Sequence, residues 1–463
     1  MDLQKDPARF VNTTNWEWMP LLPWILNIAY LLLLAAVLPI IVYRQIVHGK
    51  YRAGWPEKLF GRLPRRVDPS RECVWLHAVS VGEVLQLRTL IDELKEKCPE
   101  IEIVVTTTTS TGFAVAKEKF PEHLVCYFPL DFSWAVKRAL DRIRPSAVVL
   151  VELELWPNFI LAASRKDIPL VLANGRISEN SFRGYRRIKP LMRNLLRRFC
   201  HLGTQNGIYA ERLLALGAAP KSVTVTGSIK FDRIETNPEN PRTKELREAF
   251  GLQAGDPVFI AGSTQAPEEQ FALDAWQTAR KAHPDLRLIL VPRHKERFED
   301  VASLITKRGL PLIRRSASSN EMPSGDDTTQ LPPVLLLDTL GELGACWGLA
   351  DIAFVGGSLT SRGGQNMIEP AAYGAAVLFG PNTWNFRDVV DLLLTGQAAC
   401  VVADADALTK RIGVLLDDPA VAREQGQIAQ RLVLAQQGAT ERTVDLILET
   451  LPVAPHMPRR KAA

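Results

Sequence analysis

The sequence contains no Cys-x-x-Cys pair and no Cys/His cluster with zinc-ligand spacing, which argues against a zinc ribbon or a dithiol redox centre. The six cysteines stand apart, at 73, 98, 126, 200, 346 and 400. Those in apolar runs (Val125-Cys126-Tyr127, Ala399-Cys400-Val401) read as buried thiols of a reducing compartment, so cytoplasm is the default for the globular part. A Gly-x-Gly-x-x-Gly fingerprint and a Walker lysine are missing too, which weakens any dinucleotide or P-loop reading. No internal repeat of 20–50 residues is visible, so a solenoid is not expected. Charge of one sign is scarce: a net +5 over 463 residues does not by itself imply nucleic acid, and no nucleic-acid partner is expected. What is present is a core-forming composition, 46% hydrophobic and 23% charged, with enough length for two domains and an anchor.

Leu21 to Tyr43 is almost wholly apolar and carries no charge. About 20 such residues cross a hydrocarbon core, so one transmembrane helix over 21–43 is expected, after an N-terminal extension over 1–20. The run ends in Ile40-Ile41-Val42-Tyr43-Arg44, which lacks the small-residue site of a cleaved signal peptide. Lys5 and Arg9 before it are offset by Asp2, Asp6 and Glu17, whereas Arg44, Lys50, Arg52, Lys58, Arg62, Arg65 and Arg66 follow it. That excess places the C-terminal bulk on the cytoplasmic side.

From Cys73 onward, short β-branched runs alternate with helical periods. The expected strands are Val74–Val79, Glu102–Thr107, Leu124–Phe128, Ala147–Val151, Leu170–Ala173 and Val223–Thr226. After the breaker-rich stretch Asn237-Pro-Glu-Asn-Pro-Arg242 the alternation resumes with Val258–Ala261, Leu286–Val291, Val334–Leu337, Ile352–Val355, Ala376–Phe379 and Ala399–Val402. The polar stretch Ser316–Gln330 reads as a solvent loop. The pattern predicts an α/β protein with two Rossmann-like, doubly wound parallel domains, over 51–236 and 243–430, facing a cleft. A C-terminal helical segment and tail fill 431–463.

Candidate site residues stand at strand exits. Glu83, in Ser80-Val-Gly-Glu83, reads equally well as a helix cap or as a general base. Glu152 and Glu154, in Val151-Glu-Leu-Glu-Leu-Trp-Pro157, need water or a partner, which a cleft edge or an ion pair can supply. Lys230 follows a strand in Gly227-Ser-Ile-Lys-Phe-Asp232. Arg293, in Val291-Pro-Arg-His294, precedes a helix and can fork onto phosphate. The glycine-rich exit Val355-Gly-Gly-Ser358 permits close backbone approach to phosphate, and Glu369 of Asn366-Met-Ile-Glu369 can accept two ribose hydroxyls. Asp404-Ala-Asp406 resembles a metal motif but is better explained as a helix cap. Phe182–Phe199 interleaves Arg183, Arg186, Arg187, Arg193 and Arg197 with apolar residues, either as a solvated basic helix or as a surface for anionic lipid headgroups.

Six ordered motifs resemble the bacterial 3-deoxy-D-manno-oct-2-ulosonic acid (Kdo) transferases of lipopolysaccharide assembly, which have a GT-B fold. They are His77–Glu83, Thr106–Gly112, Glu152–Asn158, Gly227–Asp232, Val291–His294 and Phe354–Ser358, within a match running from about Tyr51 to Val402. The resemblance implies an inverting, metal-independent transfer of Kdo from CMP-Kdo to the lipid A precursor (lipid IVA) at the inner membrane, with no cofactor. It makes Glu83 the proton acceptor, and Glu152 and Lys230 stabilisers of the transition state. It gives CMP contacts to Pro292, Arg293, Leu340, Gly341, Glu342, Asn366, Met367, Ile368 and Glu369. The chain departs from the family pattern at Gln265, commonly His, at Pro267, commonly Gly, and at Met367-Ile368, commonly Pro-Leu. Two alternatives are a GT-B transferase using a UDP-sugar on another lipid, and a non-catalytic lipid or nucleotide-sugar binding protein.

Overall fold

The computed structural model describes residues 21–48, 53–317 and 331–451. The N-terminal extension with its flanking charges, Lys50 and Arg52, most of the expected loop at 316–330, and the tail beyond 451 lie outside the described residues. The chain divides into two compact units: the first runs to Asp232 and takes back the C-terminal segment from Gly438, and the second is Arg233–Gln437.

In the first unit, α1 (Leu22–His48) and the short α2 (Trp55–Phe60) precede a seven-stranded sheet. Its strands are β1 (Cys73–His77), β2 (Glu102–Thr107), β3 (Leu124–Tyr127), β4 (Ala147–Val151), β5 (Leu170–Gly175), β6 (His201–Thr204) and β7 (Val223–Val225). The order is β3-β2-β1-β4-β5-β6-β7, all pairs parallel. Side chains of a strand alternate between faces, and the core shows it: Val148 and Leu150 of β4 join one apolar cluster, Val149 and Val151 the other. Both faces are covered, which is why β4 reads Ala-Val-Val-Leu-Val without a polar residue.

The second unit repeats the plan with β8 (Val258–Thr264), β9 (Arg287–Pro292), β10 (Leu312–Arg314), β11 (Val334–Leu336), β12 (Ile352–Val355), β13 (Ala376–Phe379) and β14 (Ala399–Val401). Their order is β10-β11-β9-β8-β12-β13-β14, again parallel throughout. The periodicity misses β6 and β10. β6 is His-Leu-Gly-Thr, broken by Gly203, and β10 is a short edge strand ending in Arg314; neither presents the unbroken apolar, β-branched run that marked equally short strands such as β11.

The C-terminal helix Ala439–Leu448 packs on the first sheet, where Val444 and Ile447 join its core. Asp232 holds its start: the Gly438 and Thr440 N–H groups donate to the Asp232 carboxylate at 2.7 and 2.5 Å. This aspartate of the Gly227–Asp232 motif therefore serves the fold, tying the chain's return to the unit it left. His77, the histidine of the first motif, is likewise structural. It is fully buried and stacked on Phe128 at 3.7 Å, and burial lowers it to about 3, so it stays neutral.

Candidate active site

Helix α3 (Val81–Lys97) begins at an N-cap, Ser80, whose hydroxyl accepts the Glu83 N–H at 3.2 Å. The Glu83 carboxylate answers by accepting the Val79 N–H at 2.9 Å, the Ser80 N–H at 3.3 Å and the Ser80 hydroxyl at 2.6 Å. The helix-cap reading is met here, since this is a capping box. The box fixes where the carboxylate sits without using it up: a carboxylate offers about four lone-pair sites.

β4 pairs directly with β1, and the sheet order reverses between them, the place where open α/β sheets bind ligands at their carboxyl ends. Glu152 follows β4 in the left-handed region, with φ 60, a conformation a non-glycine residue adopts at a cost of order 1–3 kcal/mol. Two residues on, Glu154 is the carboxylate that senses the others. It is pushed up to about 7, first by burial and next by the charge of Glu83, with Trp156 opposing and Glu152 adding. Three carboxylates therefore share one neighbourhood. The pair at 152 and 154 was legible in the sequence, but which member is raised towards neutrality depends on burial.

A stability test follows from Glu154. Its folded value of about 7 lies above the ordinary 4.5, so its contribution favours folding at low pH and is lost as pH rises through about 7. The unfolding temperature of the wild type, compared with Glu154→Gln, should fall between about pH 5 and 8. A difference that stays constant across that range in scanning calorimetry would remove this assignment.

Lys230 lies half-buried in a short turn, Ile229–Phe231, beyond β7. Asn174 ties that turn to α3: its carboxamide accepts the Ile229 N–H at 3.3 Å and donates to Gln86 at 2.8 Å. Lys230 and Glu83 thus belong to one connected frame. No motif marked Asn174, whose role rests on a contact 88 residues apart in sequence.

The basic stretch is two helices, Glu179–Arg187 and Lys189–Leu196. Its apolar residues turn inward: Met192, Leu195, Leu196 and Phe199 are buried, and Phe182, Tyr185 and Leu191 pack on the core. Arg183 pairs with Glu179 at 3.0 Å, and half-buried Arg197 donates to the Gly217 carbonyl at 3.3 Å. Arg186, Arg187 and Arg193 are exposed. Burying these apolar side chains in the core leaves the exposed arginines outside together with Ile188 and Lys189. Burial, and then the charge of Glu154, raise Tyr185, so the basic helix borders the carboxylates.

In the second unit the candidates lie at the ends of β11, β9 and β12 and in the turn that follows. Pro292 is buried, while Arg293 is exposed and its N–H donates to the Thr264 carbonyl at 3.0 Å. Glu369 is raised by burial, against a hydrogen bond from Asn366 and the positive charge of Arg293. Asn366 aims it, donating to its carboxylate at 3.0 Å while accepting the Ile368 N–H at 3.1 Å. Met367 and Ile368 are buried, so only their backbone can meet a ligand. The loop beyond β11 exposes Leu340 and turns at Gly341 with φ 86. Glu342 is held by Arg315 at 2.9 Å and by the Thr339 hydroxyl, and Arg315 also pairs with Glu245. Its carboxylate is thus engaged within the protein.

The glycine-rich exit differs from expectation. Glu268, fully buried, accepts the N–H groups of Gln265 (2.9 Å), Gly357 (2.7 Å), Ser358 (3.0 Å) and Leu359 (2.9 Å). The amides expected to meet a phosphate are taken by a carboxylate of the protein's own. Gly356 is required there, since a Cβ would lie 2.6 Å from Thr264 Cα and 2.9 Å from the Glu268 carboxylate. Glu268 was visible in the sequence only as the residue after Pro267. Among the described residues no group of three His, Cys, Asp or Glu is placed to hold a metal ion. Asp404 caps the helix Ala405–Asp417 through the Ala407 N–H at 2.8 Å.

A family profile described as 3-deoxy-D-manno-octulosonic-acid transferase (kdotransferase) matches residues 53–233. The chain is 34% identical over 400 residues to a 3-deoxy-D-manno-octulosonic acid transferase of Haemophilus influenzae, covering 86% of this chain and 91% of that one. It is 35% identical over 404 residues to the enzyme of that name from Bordetella pertussis, covering 85% and 91%. Among solved structures, a UDP-GlcNAc 2-epimerase from Neisseria meningitidis aligns over 81% of this chain and all of its own, with TM-score 0.55 and 13% identity. A glycosyltransferase from Rickettsia africae aligns over 82% and 99%, with TM-score 0.52 and 12% identity; both likenesses concern the fold alone. With carboxylates gathered at the β1/β4 switch point and relatives aligned over most of both lengths, the chain belongs to the 3-deoxy-D-manno-octulosonic acid transferases, a family of glycosyltransferases with the GT-B fold.

Proposed function

We propose that the protein transfers Kdo from CMP-Kdo to a lipid A precursor, with inversion and without a metal ion, on the cytoplasmic face of the inner membrane. The observation that carries this reading is the gathering of Glu83, Glu152 and Glu154 at adjacent strand ends, beside a helix exposing Arg186 and Arg187. Glu83 takes the proton of the acceptor hydroxyl as its oxygen bonds to the anomeric carbon. The bond to CMP breaks, and its electron pair leaves with the phosphate. Arg293 steadies that charge, and Lys230 and Glu152 stabilise the transition state. The exposed arginines suit the phosphates of the acceptor. The lysine and arginine excess after α1 supports placing both units on the cytoplasmic side, with α1 as the anchor.

Purified protein given CMP-Kdo and the tetraacylated precursor in EDTA should yield a product heavier by Kdo in mass spectrometry. Turnover only with a UDP-sugar, or only with added metal, would overturn the corresponding part of the proposal. Glu369→Ala should raise the apparent KM for the donor about tenfold or more, since two hydroxyls lose a charged acceptor. Wild-type CMP affinity in calorimetry would mean that the ribose lies elsewhere.

A further inference from the structure

The apolar helix α1 does not stand apart from the first unit. Leu22 and Pro23, Leu26 and Asn27, then Tyr30 and Leu34 recur at intervals of three or four residues on one face, and are the buried or half-buried residues of its first half. Asn27, only 3% exposed, donates to the Ser133 hydroxyl at 2.7 Å and accepts the Ser133 N–H at 3.0 Å and the Asn158 carboxamide at 3.3 Å. The Tyr30 hydroxyl donates to Asp131 at 3.0 Å, and its ring meets Phe132 edge-on at 6.0 Å. Asp131 in turn accepts the Asn158 and Phe159 N–H groups, so the latch is continuous with the core.

The chain that follows α1 returns to the same place. The Leu130 N–H donates to the Lys58 carbonyl of α2 at 2.8 Å, and the Trp134 indole donates to the Leu59 carbonyl at 2.9 Å. The stretch from Leu130 to Trp134 therefore grips both the first half of the helix and the segment after its end. A helix that crosses a bilayer delivers its two ends to opposite sides, which this arrangement does not allow. The undocked half of a 27-residue helix is about 20 Å long at 1.5 Å per residue, short of a hydrocarbon core of about 30 Å.

We propose that α1 is an in-plane anchor, latched to the first unit by Asn27 and Tyr30 and lying in one leaflet of an anionic phospholipid bilayer, in place of the single crossing expected from the sequence. The outer side of the helix is suited to that position. Trp24, Ile25, Ile28 and Leu32 are exposed, at 58–68%, and face away from the latch. A groove of about 410 Å³ beside Pro23 and Trp24 is lined by Lys137, Arg165 and Lys166. An apolar helix next to a basic rim matches acyl chains below anionic headgroups. The polar face that an interfacial helix ordinarily carries is supplied here by the domain docked on it.

Sidedness tests this in the full chain. Leu21→Cys, at the start of α1, and Gln253→Cys, a reference on the second unit, are treated with a membrane-impermeant maleimide in sealed inside-out vesicles, with the wild type as background. The in-plane anchor requires both to be labelled from the same side. Leu21→Cys labelled from the opposite side, or only after detergent, overturns the proposal. Asn27→Leu gives an independent reading: a latch predicts an unfolding midpoint lower by about 2–4 °C, whereas a lipid-facing span would be unchanged or steadied by leucine. Flotation supplies the membrane arm: binding to phosphatidylcholine vesicles should strengthen when phosphatidylglycerol is added, and lose that gain in Lys137→Glu/Arg165→Glu. Equal binding to both compositions would remove the anionic rim from the proposal.

Discussion

Glu83→Gln should lower kcat by about 10²-fold or more while leaving folding and CMP binding close to those of the wild type. The capping box makes this substitution informative. Glutamine is an accepted partner at the third position of such a box, so its oxygen can still receive the Ser80 N–H and hydroxyl and the helix start survives, while the Val79 N–H loses the second carboxylate oxygen at a modest cost in stability. What is lost is the capacity to take a proton from the acceptor hydroxyl. A role confined to capping predicts turnover almost intact beside a stability loss of up to about 1 kcal/mol, so turnover is the discriminating quantity. Steady-state kinetics with CMP-Kdo, together with a melting curve, separates the two. Turnover near normal in a well-folded Glu83→Gln protein would pass the role of base to Glu152 or Glu154.

The second large effect is expected at Glu268, far in sequence from any candidate base. Its carboxylate accepts four backbone N–H groups in a site with no solvent access. Glutamine presents one oxygen and an NH₂ group, so part of that ring of donors would face another donor. Leaving a buried donor unsatisfied costs about 1–3 kcal/mol, and breaking a buried charged network about 3–5 kcal/mol. Glu268→Gln should therefore destabilise the second unit by about 3 kcal/mol or more in denaturant unfolding. The loop it holds leads from β12 towards Asn366 and Glu369, so CMP affinity should fall along with stability. Stability within about 0.5 kcal/mol of the wild type would show that the network contributes little.

The in-plane reading of α1 and the expectation of a single crossing differ over two side chains. Within a run of apolar residues, Asn27 and Tyr30 are minor blemishes on a hydropathy scale. A span with a lone asparagine is entirely acceptable by composition. Only Ser133, Asp131 and Asn158, brought over from positions more than 100 residues away, turn those two side chains into a latch.

The same division runs through the rest of the molecule. The sequence by itself determined the two βα units, because a strand covered on both faces must be apolar along its length and the helices between must show a 3.6-residue period. It also brought out the strand-exit residues Glu83, Glu152, Lys230, Arg293 and Glu369, since charge directly after an apolar run demands water or a partner. β6 and β10 stayed hidden because a histidine and a glycine in one and an arginine in the other interrupt the apolar run by which equally short strands were found. Burial and long-range contact were left to the tertiary structure. It decided that Glu154 is the carboxyl raised towards neutrality, that Met367, Ile368 and the apolar half of the basic stretch face the core, and that the amides after β12 go to Glu268. Each of these depends on which side chains share a low-dielectric pocket, and pattern along the chain does not encode that, because the partners are set by how strands order themselves in the sheet.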